Sequence, residues 1–473
     1  MFSYIPAGLD TSQEAPTTLY VKYGNFGNTM KVLKQNSRIL QLQLPDRILT
    51  FTQDSDKLSH TKIYDWDECL PISPFHKTSD NIDYPEIAMI NYVANYGKFS
   101  KSAQSCKKGK DPNRLKIVCD SGGYQVAVGR VDYIDTANLA NFYNKNADLG
   151  IVLDIPLYNN IDISTLTYAA KTQRQNTNKL IDNLDGSVEL INVCHGYEPD
   201  KYKRYLDIVD DDRIDRLCIG GLNTSSTIVG CISSFIQIVS NYKDRYKHFH
   251  ILGIYNPAIL ASFIYLAENE FPDIMITSDS STPLQSARSG MYHLQREFNR
   301  SPERLQIGSI HNNLSFFNPN RLMCCQCAVC RLVKYMDVFS FMLSNPVIRC
   351  LTIHNISEIY RTLMSIATLS RNLSFKDYRA VILKMLGTHS GKNVCSLGLD
   401  YVESYMNDGL QKADTRFKPY FSQGIFSSAT MGSLVDDSTD TLYSYVNEHK
   451  DRIKEVLDKY HNPNMKETFK VNK

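Results

Sequence analysis

Residues 149–184 read "LGIVLDIPLYNNIDISTLTYAAKTQRQNTNKLIDNL". A short β-branched apolar run stops on Asp154, passes through a proline-bearing polar turn and enters the long helix-like segment "STLTYAAKTQRQNTNKLIDNL". That is one strand–turn–helix unit, and its length suits a parallel crossover rather than a hairpin. The same pattern recurs on both sides. Upstream lies "LKIVCDSGG" (115–123), and downstream lie "VELINVCHG" (188–196), "RLCIGGL" (216–222), "HFHILGI" (248–254) and "DIMITSDSS" (273–281). "DTANLANFYNKN" and "NPAILASFIYLAENE" supply further helices between them, and "YPEIAMINYVANYG" (84–97) adds a preceding barrel element.

Strands alternating with helices imply a parallel sheet, either a closed (β/α)8 barrel or an open doubly wound sheet. In both, ligands gather at the carboxyl ends of the strands. Every one of these runs ends in polar or glycine residues, and Asp120, Asp154, His195, the pair Gly220 and Gly221, and Asp279 would converge on one face. An open sheet loads its switch point, so six loaded ends favour a barrel mouth. The expected fold is a (β/α)8, TIM-like barrel with a zinc-binding subdomain and a helical C-terminal extension. Its divisions are 1–80 as a divergent, partly barrel-associated segment, 81–310 as the barrel, 311–390 as the zinc-binding part with following helices, and 391–473 as the extension. Within the last part, "STDTLYSYVNEHKDRIKEVLDKYH" reads as a terminal amphipathic helix.

A chain of 473 residues can bury a large core, and 42% hydrophobic with 22% charged content excludes a disordered or fibrous protein. The formal net charge of +2 offers no global field for a polyanion, so a nucleic-acid surface must be local. "KFSKSAQSCKKGKDPNRLK" (98–116) is such a cluster: Lys107, Lys108 and Lys110 are either phosphate contacts or part of a solvated loop. "MFSYIPAGLD" lacks the basic and apolar regions of a secretory signal, and no stretch nears about 20 uninterrupted apolar residues, so a cytoplasmic protein without membrane contact is expected. Eight of the twelve cysteines are scattered and four crowd between Cys324 and Cys330, the distribution of reduced thiols with one metal site. Cys325, Cys327 and Cys330 with His354 form a Cys3His set suited to tetrahedral zinc. Four protein ligands leave no open position, so the metal is expected to be structural, one per chain.

A carboxylate at the end of a hydrophobic run is costly to bury unless paired or used, although any single one also serves to cap the next helix. Three on one face point to chemistry. The glycine pairs at 122–123 and 220–221 would let backbone approach a planar ligand, and they also suit tight turns.

In combination, "DSGGYQ", "LDIP", "IGGL", "SDSSTPLQSARSG" and the cysteine set with "TIHN" resemble, in order, motifs of the tRNA-guanine transglycosylase superfamily, which swaps guanine for a 7-deazaguanine within an intact polynucleotide. The resemblance implies Asp279 as nucleophile and Asp120 as general acid/base. It further implies Asp154, His195, Gly220, Gly221 and Leu222 around the base, Tyr124 stacked on its face and Arg288 on the nucleic acid. His195, which stands where the family has a base-binding glutamine, also suits a core position. Gln285 stands where the tRNA enzymes carry an arginine, and Ser226 where bacterial members carry a glutamate, which favours a neutral 7-substituent such as a nitrile. With no archaeal RNA-binding domain evident, the chain looks more like the phage and bacterial branch that modifies DNA. The implied partners are DNA, a free 7-deazaguanine such as preQ0 and a second copy in a homodimer, with the host cytoplasm as location if phage-encoded. The alternatives are a tRNA enzyme with an altered anticodon grip and a non-catalytic nucleic-acid-binding paralogue.

Overall fold

The computed structural model describes residues 1–7, 20–21, 85–95, 115–127, 131–157, 162–196, 198–222, 227–254, 256–288, 291–294, 303–306, 344–345, 347–386 and 392–421. Eight strands make its centre: β1 (Phe2–Pro6), β2 (Ile87–Asn91), β3 (Lys116–Asp120), β4 (Leu149–Ile151), β5 (Glu189–Cys194), β6 (Arg216–Ile219), β7 (His248–Ile251) and β8 (Met275–Ser280). They form one sheet in the order β2-β3-β4-β5-β6-β7-β8-β1, with every neighbouring pair parallel. The two edge strands, β1 and β2, lie against each other, so the sheet curls into a nearly closed barrel.

All six strand–turn runs of the sequence and the Ile87–Asn91 stretch are barrel strands. The eighth comes from the chain's first residues, where "FSYIP" pairs with β8 in a register that sets Ile5 opposite Asp279. Its sequence hides it: five residues with almost no polar alternation, buried throughout apart from Ser3, look like any short apolar run.

Four of the helices between the strands start where side-chain caps dictate. Asp135 accepts from the Asn138 N–H at 2.8 Å ahead of α1 (Thr136–Asn146), and Asp162 from the Thr165 N–H at 2.7 Å ahead of α2 (Ile163–Asn183). Helix α3 spans Pro199–Val209. Thr227 caps α4 (Ile228–Tyr242), and Asn256 caps α5 (Pro257–Asn269), which opens on a proline. Each cap satisfies an N–H that the first helical turn leaves without a partner.

Helices α4 and α5 are apolar nearly all round, which a helix facing solvent cannot sustain. The reason lies C-terminal to the barrel. Helices α7 (Val347–Asn372), α8 (Phe375–Leu386), α9 (Lys392–Asp408) and α10 (Leu410–Arg416) form an outer layer over them. Gly398 of α9 approaches α5 so closely that an added Cβ would fall 2.7 Å from Ser262 Oγ, and Tyr378 donates to the Ala261 carbonyl at 2.7 Å. Residues 392–416 therefore belong to the same continuous apolar core as the barrel's outer face. The terminal helix expected within 438–461 lies outside the described residues.

Candidate active site at the barrel mouth

β3 delivers Asp120 as its last residue, directly opposite Asn91 on β2. Asn91 Nδ2 donates to Asp120 Oδ2 and lies 3.2 Å from Gln125 Oε1, and the Gly122 N–H reaches Asp120 Oδ1 at 3.4 Å. Gly122 has φ of +89°, a left-handed conformation that turns the chain back towards the carboxylate. These donors favour the ionised acid, but burial outweighs them, with Asp154 adding the next largest push and Asp279 a smaller one. The Asp120 pKa rises to about 6.

Asp154 sits three residues past the end of β4, where the chain has left the sheet. His195 Nε2 lies 2.7 Å from Asp154 Oδ2, while Ser121 Oγ is 3.5 Å from the other oxygen. Two glycines make room for this pair. A Cβ on Gly123 would fall 2.5 Å from Asp154 Oδ1, and one on Gly220 would fall 2.5 Å from His195 Cε1. Gly220 is itself held, donating to the Cys194 carbonyl at 2.9 Å and accepting from Tyr202 Oη at 2.7 Å. The sequence places these glycines beside a ligand; the structure shows Gly123 and Gly220 also clearing space for two buried side chains. Gly221 has φ of +84°, and Leu222 behind it is fully buried, its carbonyl accepting from the Cys231 thiol.

Asp279 is the fifth residue of β8 and is 8% exposed. The N–H of Gly253, two residues past the end of β7 and with φ of +73°, donates to Asp279 Oδ1 at 2.6 Å. His250 Nε2 lies 3.3 Å from the same oxygen. Among the described residues no hydrogen bond is made to Oδ2.

The three carboxylates converge. Cys218, buried on β6, has its thiol pKa pushed well up, by burial first and then by Asp279, Asp154 and Asp120, so all three act on one point in the barrel interior. Tyr124, four residues past Asp120, is 52% exposed and so open to contact with a flat ligand. Arg288 closes α6 (Thr282–Arg288), the helix that follows the Asp279 strand. Lys107, Lys108, Lys110, Cys325, Cys327, Cys330 and Ser226 lie outside the described residues. His354 is fully buried on α7, and its neighbour Asn355 donates to the Pro283 carbonyl at 3.3 Å, so this helix braces the segment after Asp279.

Sequence reading passed over Asn91, Gln125, His250 and Gly253. Asn91 ends an apolar run in the way Asp120 does, which is a usable signal. His250 sits inside "HFHIL", where alternation of two histidines marks one strand face. Among the described residues no helix is long and apolar enough to cross a membrane. Compared with known proteins, the chain matches no protein-family model and no curated protein sequence.

Proposed function

We propose that the chain is a DNA-guanine transglycosylase, exchanging guanine in a strand for a 7-deazaguanine through a covalent enzyme–deoxyribose intermediate. One observation carries the reading: a single barrel mouth holds a carboxyl group with a pKa raised to about 6 beside a second carboxylate fixed through one oxygen. Those are the two states that double displacement at an anomeric carbon requires.

In the first half-reaction Asp279 attacks C1′, the bond to guanine breaks and its electron pair leaves with the base, which takes the proton of Asp120. In the second, the ionised Asp120 removes the N9 proton of the incoming 7-deazaguanine. Its nitrogen then attacks C1′ and the Asp279 carboxylate departs. Strand continuity is kept by the covalent ester, so no phosphoanhydride is consumed. Asp154, with Oδ2 held by His195, offers Oδ1 to the N–H groups of the base edge. Tyr124 supplies the stacking face that a base drawn out of a helix requires. Gln285 is exposed on α6, where an arginine would reach for an anticodon loop, and this favours DNA.

The test is exchange of labelled guanine into duplex DNA and into tRNA, run side by side. Incorporation into DNA is expected; incorporation into tRNA alone would overturn the DNA assignment, and none into either would overturn the activity.

The Cys3His set of Cys325, Cys327, Cys330 and His354 fits a closed tetrahedral zinc by donor chemistry, and the burial of His354 suits a ligand shielded from water. Zinc there would hold structure together at α7 and take no part in bond exchange. The purified protein is expected to carry about one zinc per chain by elemental analysis. A metal-free preparation that keeps the same melting temperature would remove this assignment.

A further inference from the structure

Below Asp279 the barrel interior holds a polar column that the exchange reaction, as described, does not use. β7 and β8 pair with His250 opposite Thr277, so His248, His250, Thr277 and Asp279 fall on one sheet face. His248 Nε2 is 2.6 Å from Thr277 Oγ1, and His250 Nδ1 is 2.8 Å from the same oxygen. All three are within 1% of complete burial. Such groups are expensive to enclose, and a core made only for stability would fill these positions with aliphatic side chains.

Proton positions follow from counting donors. The Thr277 hydroxyl has one hydrogen to give, so it donates to one imidazole and accepts from the other. A bare ring nitrogen facing the Asp279 carboxylate would repel it, so His250 carries its hydrogen on Nε2. Nδ1 then accepts from Thr277, which accepts from His248 Nε2–H. His248 is left with a bare Nδ1 that has no partner among the described residues, and burial, with His250 and Arg216 nearby, lowers its pKa to about 3 and keeps it neutral. An unpaired lone pair is easier to bury than an unpaired N–H.

Resting on the transglycosylase reading, we propose that His250 is a positioning residue for the nucleophile. Its Nε2–H and the Gly253 N–H both address Oδ1 of Asp279, which turns Oδ2 towards the sugar as the attacking oxygen; Thr277 and His248 set the imidazole's tautomer. The 3.3 Å contact is not yet aligned as a hydrogen bond, and such contacts tighten when substrate binds.

Two measurements test this. In single-turnover adduct formation with guanine-containing DNA, His250→Leu is expected to slow the step about 100-fold, the cost of a misplaced reacting group, with noncovalent DNA affinity unchanged. His250→Gln, whose amide can also donate, should recover most of the rate. Equal loss in both variants, or loss in neither, would overturn the proposal. Long-range nitrogen–proton NMR of the histidine rings in the wild-type protein reads the same contact without substrate. His250 is expected as the Nε2–H tautomer, and Asp279→Asn should move its ring signals. A His250 that is the Nδ1–H tautomer, or is unmoved by Asp279→Asn, overturns the proposal. If wild-type protein forms no adduct while the ring signals behave as expected, it is the transglycosylase reading that falls.

Discussion

Asp279→Asn is expected to abolish the denaturation-resistant adduct between protein and guanine-containing oligonucleotide, and to lower guanine exchange by at least about 10⁴-fold, the scale of removing a catalytic nucleophile. An amide oxygen is a poor nucleophile towards C1′ and a poor leaving group in the return step. The fold should be unaffected, because Asp279 is held through Oδ1 by the Gly253 N–H and an amide oxygen accepts that bond equally well. Denaturing gel electrophoresis of protein mixed with labelled DNA reads the outcome directly. An adduct of undiminished yield would assign the covalent step to another residue.

Asp120→Asn should separate activity from stability in opposite directions. With a pKa of about 6, Asp120 can donate a proton only while protonated, so under the proposed reaction the wild-type rate of adduct formation should fall about tenfold per unit as pH rises above about 6. The variant should lose that limb of the profile along with about 10² to 10⁴ of the rate, the range for a general acid. Stability moves the other way. The native state holds this proton more tightly than the unfolded chain, so the favourable contribution is complete below pH 4 and is lost as pH rises through about 6. At pH 7 the folded protein therefore carries a strained anion. Replacing it with a neutral amide should stabilise the fold by about 1 to 3 kcal/mol, a figure reduced by the partial exposure of the residue. Thermal melts of both proteins at pH 4 and pH 7 check the sign, with the difference expected to vanish at the lower pH. Equal melting temperatures at pH 7 would mean that Asp120 titrates normally.

A strained acid at the mouth fits the wider organisation. The barrel spends hydrophobic stability to hold Asp120, Asp154, Asp279 and two interior histidines, and the surplus comes from the unbroken apolar layer between α4, α5 and the outer helices. These buried polar groups break local rules of burial, and the remainder of the fold compensates.

Seven of the eight strands were legible in the sequence because each is a compact β-branched run ending in Gly, Asp, Asn or His, and four of the helices between them carry their own side-chain caps. The acids were legible for the same reason: a carboxylate closing a hydrophobic run is a local anomaly, visible without coordinates. The partners were not. Asn91 meets Asp120 and His195 meets Asp154 only because parallel strands come into one register and the sheet curls. Gly123 reveals its purpose only when the Asp154 carboxylate arrives where its Cβ would be. The first strand stayed hidden because five apolar residues have no period of their own; pairing with β8 decides that they are a strand. The sequence by itself determined the repeating strand–turn–helix grammar and the residue types at its strand ends, since both rest on neighbours along the chain. Only the tertiary structure decided which oxygen of Asp279 is held and which is left open, and why the proton of Asp120 binds tightly. Both depend on burial and on charges brought together across the barrel from strands far apart in sequence.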